Sequence, residues 1–338
     1  MGRRIMLTAD PTPQPREISP LADFAVAALP PGHRGAGWLS VDAALAAPPL
    51  LPALVAKGRQ PGRTLFAVAG VHGDEYEGME AIREVFAALD VDTMRGAFVG
   101  LPVANPFAYE ARARCAPTHI DGLNLARVFP GDHNGSPSLI LAHHLLRAVE
   151  RNLGPDDLFL DFHSGSADVA FATMVGVREV ANPGRFRAEE AARHFGLSRL
   201  WSIPDGAGPF NAETVRRGIP TVGTETTGRA GCRRDDVASF SRGLHNLLAH
   251  LGIVPAAPPP RSEARFHRTT DVHAPAAGFF RAAFELDGRV EAGAPLGEIV
   301  GLFGEPVAAV AAPVAGAVWA RRTMPAVRVG ELLAMIAE

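Results

Sequence analysis

Cysteine is scarce in this sequence, since only Cys115 and Cys232 occur among its 338 residues. Two cysteines so far apart supply neither a disulfide framework nor a thiolate zinc site. Any metal ion that the protein binds must therefore be held by nitrogen and oxygen atoms.

Long apolar runs and a basic stripe are also missing. No stretch of about 18 uninterrupted apolar residues occurs, and residues 1–20 have no apolar segment behind their arginines. These absences predict a cytoplasmic protein with no membrane partner. The net charge of −3 comes from well-mixed signs, so nucleic acid is not an expected partner.

Lysine is nearly absent as well, because Lys57 is the only lysine among 33 basic residues. Almost every cationic side chain is therefore an arginine, whose planar guanidinium suits carboxylate groups. This composition is compatible with an anionic substrate but does not establish one.

The residues that are present predict an α/β fold. Apolar runs of strand length alternate with segments in which apolar residues recur at helical spacing, a pattern typical of a mostly parallel sheet covered by helices on both faces. The predicted strands are 64–71, 96–103, 157–162, 171–177 and 219–225. The predicted helices are 76–90, 136–153 with Ser136 as N-cap, 181–195 and 234–252.

A change of composition predicts the domain organisation. A proline cluster ends the helical pattern, so we expect a catalytic domain over 1–255, with 1–60 as a lead-in or edge strands, and a linker over 256–266. Residues 267–338 are glycine-punctuated and β-like, which predicts a small barrel or sandwich resembling biotinyl or lipoyl carriers. The carrier function itself is excluded, because this region has no lysine to modify.

Two histidines and a glutamate stand where predicted strands end. His72 and Glu75 lie in GVHGDEYEG after the first strand, and His163 lies in LDFHSGS after another, two residues beyond Asp161. Each motif alone fits a histidine hydrogen-bonded in the core at least as well as a ligand. Together, a His2Glu set leaves a fourth position for water, as expected of a catalytic zinc, and Asp161 would orient His163.

Two further segments carry candidate polar groups. Glu225 ends the apolar strand IPTVGTE, where a carboxylate is either an ordinary solvated residue or the proton-transfer group that a zinc hydrolase needs. DGLNLARVFPG (121–131) carries Asn124 and Arg127 and could equally be a plain surface loop.

The four segments in this order resemble the succinylglutamate desuccinylase/aspartoacylase family, relatives of the zinc carboxypeptidases, from about residue 50 to the C-terminus. The resemblance implies a zinc-carboxypeptidase-like, mixed and mostly parallel sheet with helices on both faces, plus the small all-β domain. It implies that His72, Glu75 and His163 hold one zinc ion per chain, that Glu225 is the general acid/base, and that Arg127 binds a substrate carboxylate.

The resemblance also implies an upstream arginine that polarises the scissile carbonyl, for which Arg114 is the first choice and Arg112 the alternative. The family often has asparagine before the motif arginine, whereas this chain has Ala126. One polar contact to the substrate is therefore lost or is supplied by Asn124.

The expected function is zinc-dependent hydrolysis of the amide bond of a small, anionic N-acyl amino acid or related N-acyl amine. The alternatives are a metallocarboxypeptidase that acts on peptides and a non-catalytic metal-binding module. Retention of Glu225 beside three ligands favours the enzyme, because a binding module needs no proton shuttle. The sequence does not determine the acyl group, the amine or the oligomeric state. A homo-oligomer is one possibility.

Overall fold

A ten-stranded mixed sheet forms the centre of the fold in the computed structural model, which describes residues 16–41 and 48–338. The strands of these residues are β1 (Arg16–Pro20), β2 (Arg34–Ser40), β3 (Leu50–Lys57), β4 (Gln60–Val68), β5 (Arg95–Leu101), β6 (Leu158–Phe162), β7 (Val169–Phe171), β8 (Met174–Arg178), β9 (Leu200–Ile203), β10 (Thr221–Glu225), β11 (Phe266–His267), β12 (Thr269–His273), β13 (Gly278–Ala282), β14 (Arg289–Val290), β15 (Pro295–Val300), β16 (Pro306–Ala311), β17 (Gly316–Arg322), β18 (Ala326–Val327) and β19 (Leu332–Ala337).

The helices lie between these strands in the chain. They are α1 (Glu77–Ala88), α2 (Pro106–Ala111), α3 (Pro137–Asn152), α4 (Pro183–His194), α5 (Phe210–Arg216) and α6 (Arg234–His250), with 3-10 turns at Val26–Ala28 and Leu125–Arg127. Within the described chain, no helix is long and apolar enough to cross a bilayer.

The large sheet has the order β1-β2-β3-β5-β4-β6-β10-β8-β9-β11. The central strands β5, β4, β6 and β10 run parallel, whereas β2, β3, β5 and the β8–β10 pair contribute antiparallel ladders. The prediction of a mostly parallel sheet is confirmed, and residues 16–60 supply edge strands on one side of it.

Helices cover both faces of this sheet, as predicted. Alternate residues of β4 point to opposite sides, because side chains along a strand alternate. Leu65 and Ala67 join the core beneath α1, α4 and α6, whereas Phe66 and Val68 join the core beneath α3 and α5. The sheet thus holds the loops at its strand ends in fixed positions.

The structure departs from the predicted elements in several places. The predicted strand 171–177 is divided, because Phe171 ends β7, which pairs with β17, whereas β8 begins at Met174 and lies in the large sheet. The sequence pattern does not predict α2, α5 or β9, which are short. Ser136 is the N-cap residue of α3, as predicted, but its side chain makes no cap bond. Instead, the carboxylate of Asp121 accepts hydrogen bonds from the Ser138 backbone N–H at 2.7 Å and from the Ser136 hydroxyl at 2.9 Å.

The C-terminal residues form two antiparallel sheets packed face to face. One contains β12, β19, β17 and β14, the other β16, β15, β13 and β18, and their facing side chains make a separate apolar core. Strand pairing joins these sheets to the rest of the chain where β7 pairs with β17. The segment that leads into them, β11, pairs with β9 at the edge of the large sheet. The division at residues 256–266 stays a prediction.

Candidate metal centre and active site

The candidate residues meet at the carboxyl ends of three adjacent parallel strands, β4, β6 and β10. His72 lies in the loop after β4, His163 follows β6 directly, and Glu225 is the last residue of β10. Ligands of open α/β sheets bind at this edge. Three segments distant in sequence are therefore brought to one place by strand order alone.

His72, Glu75 and His163 form a compact group of candidate metal ligands. Oε1 of Glu75 lies 2.8 Å from Nδ1 of His72, and Oε2 lies 2.9 Å from Nδ1 of His163. One ligand atom from each residue lies within 4.8 Å of the other two. Both imidazoles thus turn the same nitrogen towards one shared carboxylate.

The second nitrogen of each imidazole faces an oxygen atom. Nε2 of His72 lies 3.1 Å from Oδ1 of Asn124, and Nε2 of His163 lies 3.3 Å from Oδ2 of Asp161. A partner of this kind fixes the ring and leaves the opposite nitrogen free to coordinate a metal ion. Asp161 lies beside His163, where the sequence analysis expects it. Asn124, which is expected to contact the substrate, lies beside the candidate ligand His72.

The ionisation of this group suits a cation. Burial alone would raise the pKa of Glu75, but the imidazoles of His72 and His163 outweigh burial and hold that pKa well below its usual range. Burial lowers the pKa of His72 to about 4, so its ring is neutral at pH 7. Burial alone would lower the pKa of His163, but the carboxylates of Asp161 and Glu75 outweigh burial and raise that pKa well above its ordinary value, so a metal ion would displace a proton from this ring on binding. A buried carboxylate with two imidazoles beside it is a donor set for a divalent transition metal. The residues present therefore fit a metal ion.

Arg114, rather than Arg112, lies at this centre. The Nη1 atom of Arg114 donates to Oε1 of Glu75 at 3.0 Å and to Oγ of Ser166 at 2.7 Å, and Ser166 itself donates to Glu75. Arg112 ends α2 with a left-handed backbone (φ 51°) and is exposed. The chain reverses at Arg112, and Arg114 consequently turns inwards.

Glu225 lines an inner cavity of about 110 Å³. The charged and histidine side chains that share this lining are His72, His163, Arg114, Arg127 and Arg178. Burial raises the pKa of Glu225 well above its ordinary value. Its Oε2 atom is buried and accepts no hydrogen bond from the part of the chain described here. This carboxylate is therefore free to exchange a proton with a molecule in the cavity.

Arg127 reaches the inner cavity from the loop of residues 121–131. Asn124 caps the 3-10 turn Leu125–Arg127, and Asp121 anchors the loop to the start of α3. The guanidinium of Arg127 donates to the backbone oxygen of Ala126 and forms no salt bridge with the described residues. Ala126 itself lines the cavity, where a larger residue would reduce its volume.

The sequence did not point to Ser166 or Arg178. Ser166 has a left-handed backbone (φ 49°) that aims its hydroxyl at Glu75 and Arg114. Arg178 is the last residue of β8, which lies beside β10 in the large sheet. A charged residue at the end of an apolar strand is the one feature of the sequence that could have indicated a place in the site. Neither contact follows from local sequence, because each depends on strands that are distant in the chain.

A wider opening leads outwards from the inner cavity. This outer mouth has a volume of about 430 Å³ and is lined by Phe171, Trp201, Asp271, Arg322 and Met335, among others. Arg322 is paired with Asp168 at 3.0 Å and Glu331 at 2.9 Å. The C-terminal sheets thus form one wall of the approach to the candidate metal ligands.

Comparison with known proteins identifies the family. The family model "Succinylglutamate desuccinylase/Aspartoacylase catalytic domain" matches residues 61–251, more than half of the chain. This chain belongs to that family. The matched residues include all three candidate ligands, Glu225 and Arg127, and the resemblance seen in the motifs is confirmed.

Individual members of the succinylglutamate desuccinylase/aspartoacylase family are similar in sequence and structure. The N-alpha-acetyl-L-2,4-diaminobutyric acid deacetylase of Halomonas elongata is 32% identical over 209 residues, which cover 61% of this chain and 59% of that protein. The chain therefore matches less than two thirds of that relative's length.

Two solved structures share the fold over both parts of the molecule. The succinylglutamate desuccinylase/aspartoacylase of Rhodobacter sphaeroides superposes with a TM-score of 0.81 at 27% identity, covering 90% of this chain and 95% of that one. The product-bound ectoine utilization protein EutE (DoeB) of Ruegeria pomeroyi gives a TM-score of 0.80 at 25% identity, covering 90% and 94%.

Proposed function

We propose that this protein is a zinc-dependent deacylase that hydrolyses the amide bond of a small N-acyl amino acid. The observation that carries the proposal is the free, buried Oε2 atom of Glu225 in the same cavity as His72 and His163. A structural metal site has no use for such a carboxylate. The family membership and the deacetylase relative support the same reaction class.

His72, Glu75 and His163 would hold the zinc ion, with Asn124 and Asp161 fixing the two imidazoles. Zinc, when bound, supplies a Lewis acid that polarises a carbonyl group and lowers the pKa of water towards neutrality. We infer zinc from the His2Glu donor set, which is typical of catalytic zinc sites that keep one position open.

The remaining roles belong to side chains around the inner cavity. Glu225 accepts a proton from the attacking water and delivers it to the nitrogen of the departing amine, so that a neutral amine leaves. Arg114 donates to the oxygen of the scissile carbonyl as negative charge develops there. Arg127, whose guanidinium forms no salt bridge with the described residues, binds the carboxylate of the substrate and orients it.

The size of the cavity supports a small substrate over a peptide. The inner cavity of about 110 Å³ shares Arg114, Arg127 and Trp201 with the outer mouth, part of which is walled by the C-terminal sheets. A carboxypeptidase must admit a long chain, for which an open groove is needed. We therefore place metallocarboxypeptidase activity second and a purely structural metal role third.

The test combines metal analysis with an activity assay. We expect about one zinc ion per chain by elemental analysis, and release of free amine from at least one member of a panel of N-acyl amino acids. A chelator should abolish the release, and added zinc should restore it, because water activation depends on the ion. Metal-free protein, or hydrolysis that survives complete chelation, would contradict the proposal.

A further inference from the structure

Glu77 is a buried carboxyl group that the proposed reaction does not use. It is the first residue of α1, and only 1% of it is exposed. Its Oε2 atom accepts a hydrogen bond from the hydroxyl group of Ser164 at 2.8 Å, whereas its Oε1 atom has no hydrogen-bond partner among the residues that the structure describes. Burying a carboxyl group with one oxygen unpartnered costs free energy. The position of Glu77 therefore has a reason other than stability.

A glycine brings Glu77 to this position. Gly78 lies against the end of β6, and a Cβ atom at Gly78 would be 2.4 Å from Cβ of Phe162. Because that distance is too short for two carbon atoms, any side chain at Gly78 would push α1 away from β6. The glycine thus lets the first turn of α1 lie directly beside the segment that follows β6. Glu77 and Ser164, which are 87 residues apart in the sequence, meet as a result.

The hydrogen bond between Glu77 and Ser164 lies next to the candidate metal ligands. Ser164 follows His163 in the chain, and the backbone N–H of Ser164 donates to Oε2 of Glu75 at 3.1 Å. The same oxygen atom lies 2.9 Å from Nδ1 of His163. Ser164 is therefore held at its hydroxyl group by Glu77, while its backbone holds the carboxylate of Glu75. Glu77 acts on Glu75 through one intervening residue.

Two further acids near Glu77 hold the same segment. Oδ2 of Asp74 accepts a hydrogen bond from the backbone N–H of Ala167 at 3.0 Å. Oε1 of Glu75 accepts one from the hydroxyl group of Ser166 at 2.7 Å. Three acidic side chains that precede or begin α1 thus bind successive residues of the segment after β6. The two segments that carry the candidate ligands are in this way joined into one unit.

Stabilisation of α1 alone does not account for Glu77. An acidic side chain in the first turn of a helix interacts favourably with the positive end of the helix dipole. Glu80 lies in the same turn, has a side chain that is 44% exposed and pairs with Arg83 at 3.2 Å. Glu80 therefore supplies a negative charge to this helix end from the surface, without the cost of burial. Glu77 differs from Glu80 in being buried and bonded to Ser164.

We infer that Glu77 is a positioning residue of the metal centre, which holds Ser164 so that Glu75 and His163 face one ion. The inference rests on the proposed function and adds to its metal site a residue that touches neither the ion nor the substrate. Residues that fix the ligands of a metal ion raise its affinity, because the ligands are already oriented when the ion binds. Removing Glu77 should therefore weaken zinc binding although all three ligands remain.

The experiment measures the zinc dissociation constant by titrating the zinc-loaded, full-length protein with a chromophoric chelator. We expect Glu77→Ala to raise this constant about 10- to 100-fold. Ser164→Ala, which removes the hydroxyl group but keeps the backbone N–H, should raise it similarly. The double variant should add little, because both changes remove the same hydrogen bond. Glu77→Gln, whose amide oxygen can still accept from Ser164, should restore most of the affinity. Glu80→Ala is the matched control and should leave the constant unchanged.

The outcomes separate this inference from the function on which it rests. A lower free energy of unfolding in Glu77→Ala with an unchanged zinc dissociation constant would show a purely structural role and overturn the inference. Fully additive effects of Glu77→Ala and Ser164→Ala would also overturn it. If Glu77→Ala does not fold, Ser164→Ala decides, and normal zinc affinity in that variant would overturn the inference. Wild-type protein that binds no zinc would overturn the proposed function and this inference with it. If zinc binds but no substrate is hydrolysed, the deacylase function fails, whereas the zinc affinities still decide the role of Glu77.

Discussion

The Nε2 atom of His72 lies 3.1 Å from the side-chain oxygen of Asn124, which comes from a loop 52 residues further along the chain. This contact fixes the His72 ring with its Nδ1 atom towards Glu75. Asn124 therefore supports a candidate metal ligand directly. The sequence predicts a role for Asn124 in substrate binding, and this contact leads us to propose that Asn124 also orients a candidate metal ligand.

Replacing Asn124 tests which role dominates. We expect Asn124→Ala to weaken metal affinity about 10- to 100-fold, as is usual when a ligand histidine loses its outer partner. Metal affinity can be measured by competition with a chromophoric chelator. Asn246→Ala is a control, because Asn246 donates to the backbone of Phe195 away from the site. If Asn124→Ala binds the metal ion with unchanged affinity but has a raised KM, the main role of Asn124 is substrate binding.

Removing a proposed ligand tests the metal centre itself. His163→Ala should abolish stoichiometric zinc binding, and Asp161→Asn should weaken it by about 10- to 100-fold through the loss of the partner of Nε2. Both are measured as zinc per chain after dialysis. His119→Ala, which changes an exposed histidine outside the site, should bind zinc normally. Full zinc content in His163→Ala would rule out the proposed site.

The proton-transfer role of Glu225 predicts a separation of activity from metal binding. Glu225→Gln keeps the shape of the side chain but cannot accept a proton, so we expect kcat to fall by about 10²- to 10⁴-fold with zinc content unchanged. Glu263→Gln, at a side chain that is 79% exposed, serves as the matched control. Near-normal turnover in Glu225→Gln would remove this residue from the mechanism.

Asp121 predicts a dependence of stability on pH. Burial opposes ionisation of this carboxylate, but hydrogen bonds from Ser138, Leu123 and Ser136 outweigh burial and lower its pKa. The pKa of Asp121 is therefore lower in the folded state than in the unfolded state, where it is about 4. The ionised carboxylate stabilises the fold fully at a pH above the unfolded-state pKa, and this stabilisation is lost as the pH falls through the folded-state pKa.

Asp121→Asn should therefore lower the free energy of unfolding by about 1–3 kcal/mol at pH 7, and the difference should shrink as the pH drops below about 4. Urea denaturation across that pH range measures it. Asp156→Asn, at an exposed aspartate, is expected to have a much smaller effect. A difference that is constant with pH would show that the charge of Asp121 is not what stabilises the loop.

The clustering of the candidate metal ligands could be predicted because these residues follow apolar strands in the sequence. His72, His163 and Glu225 stand at strand ends, and parallel strands bring such ends together. The α/β class and the helices on both faces followed from periodicity in the same way. These signals are local, so a single sequence contains them.

The contacts between distant segments could not be predicted. Whether Arg112 or Arg114 faces the site depends on one left-handed residue at the end of α2, and helix boundaries are uncertain by more than that. The anchoring of α3 by Asp121 and the place of Arg178 beside Asn211 depend on how loops and strands pack. Sequence patterns specify which face a residue occupies but not its partner across the fold.

The pairing of β7 with β17 limits how the C-terminal sheets can move relative to the inner cavity. β7 begins shortly after His163, and its residues are in register with β17, with Val169 opposite Arg322. The C-terminal sheets cannot swing outwards without breaking this ladder and pulling on the segment that carries His163. We therefore expect the entrance to the inner cavity to keep its shape, so that a substrate would have to fit an opening of fixed size.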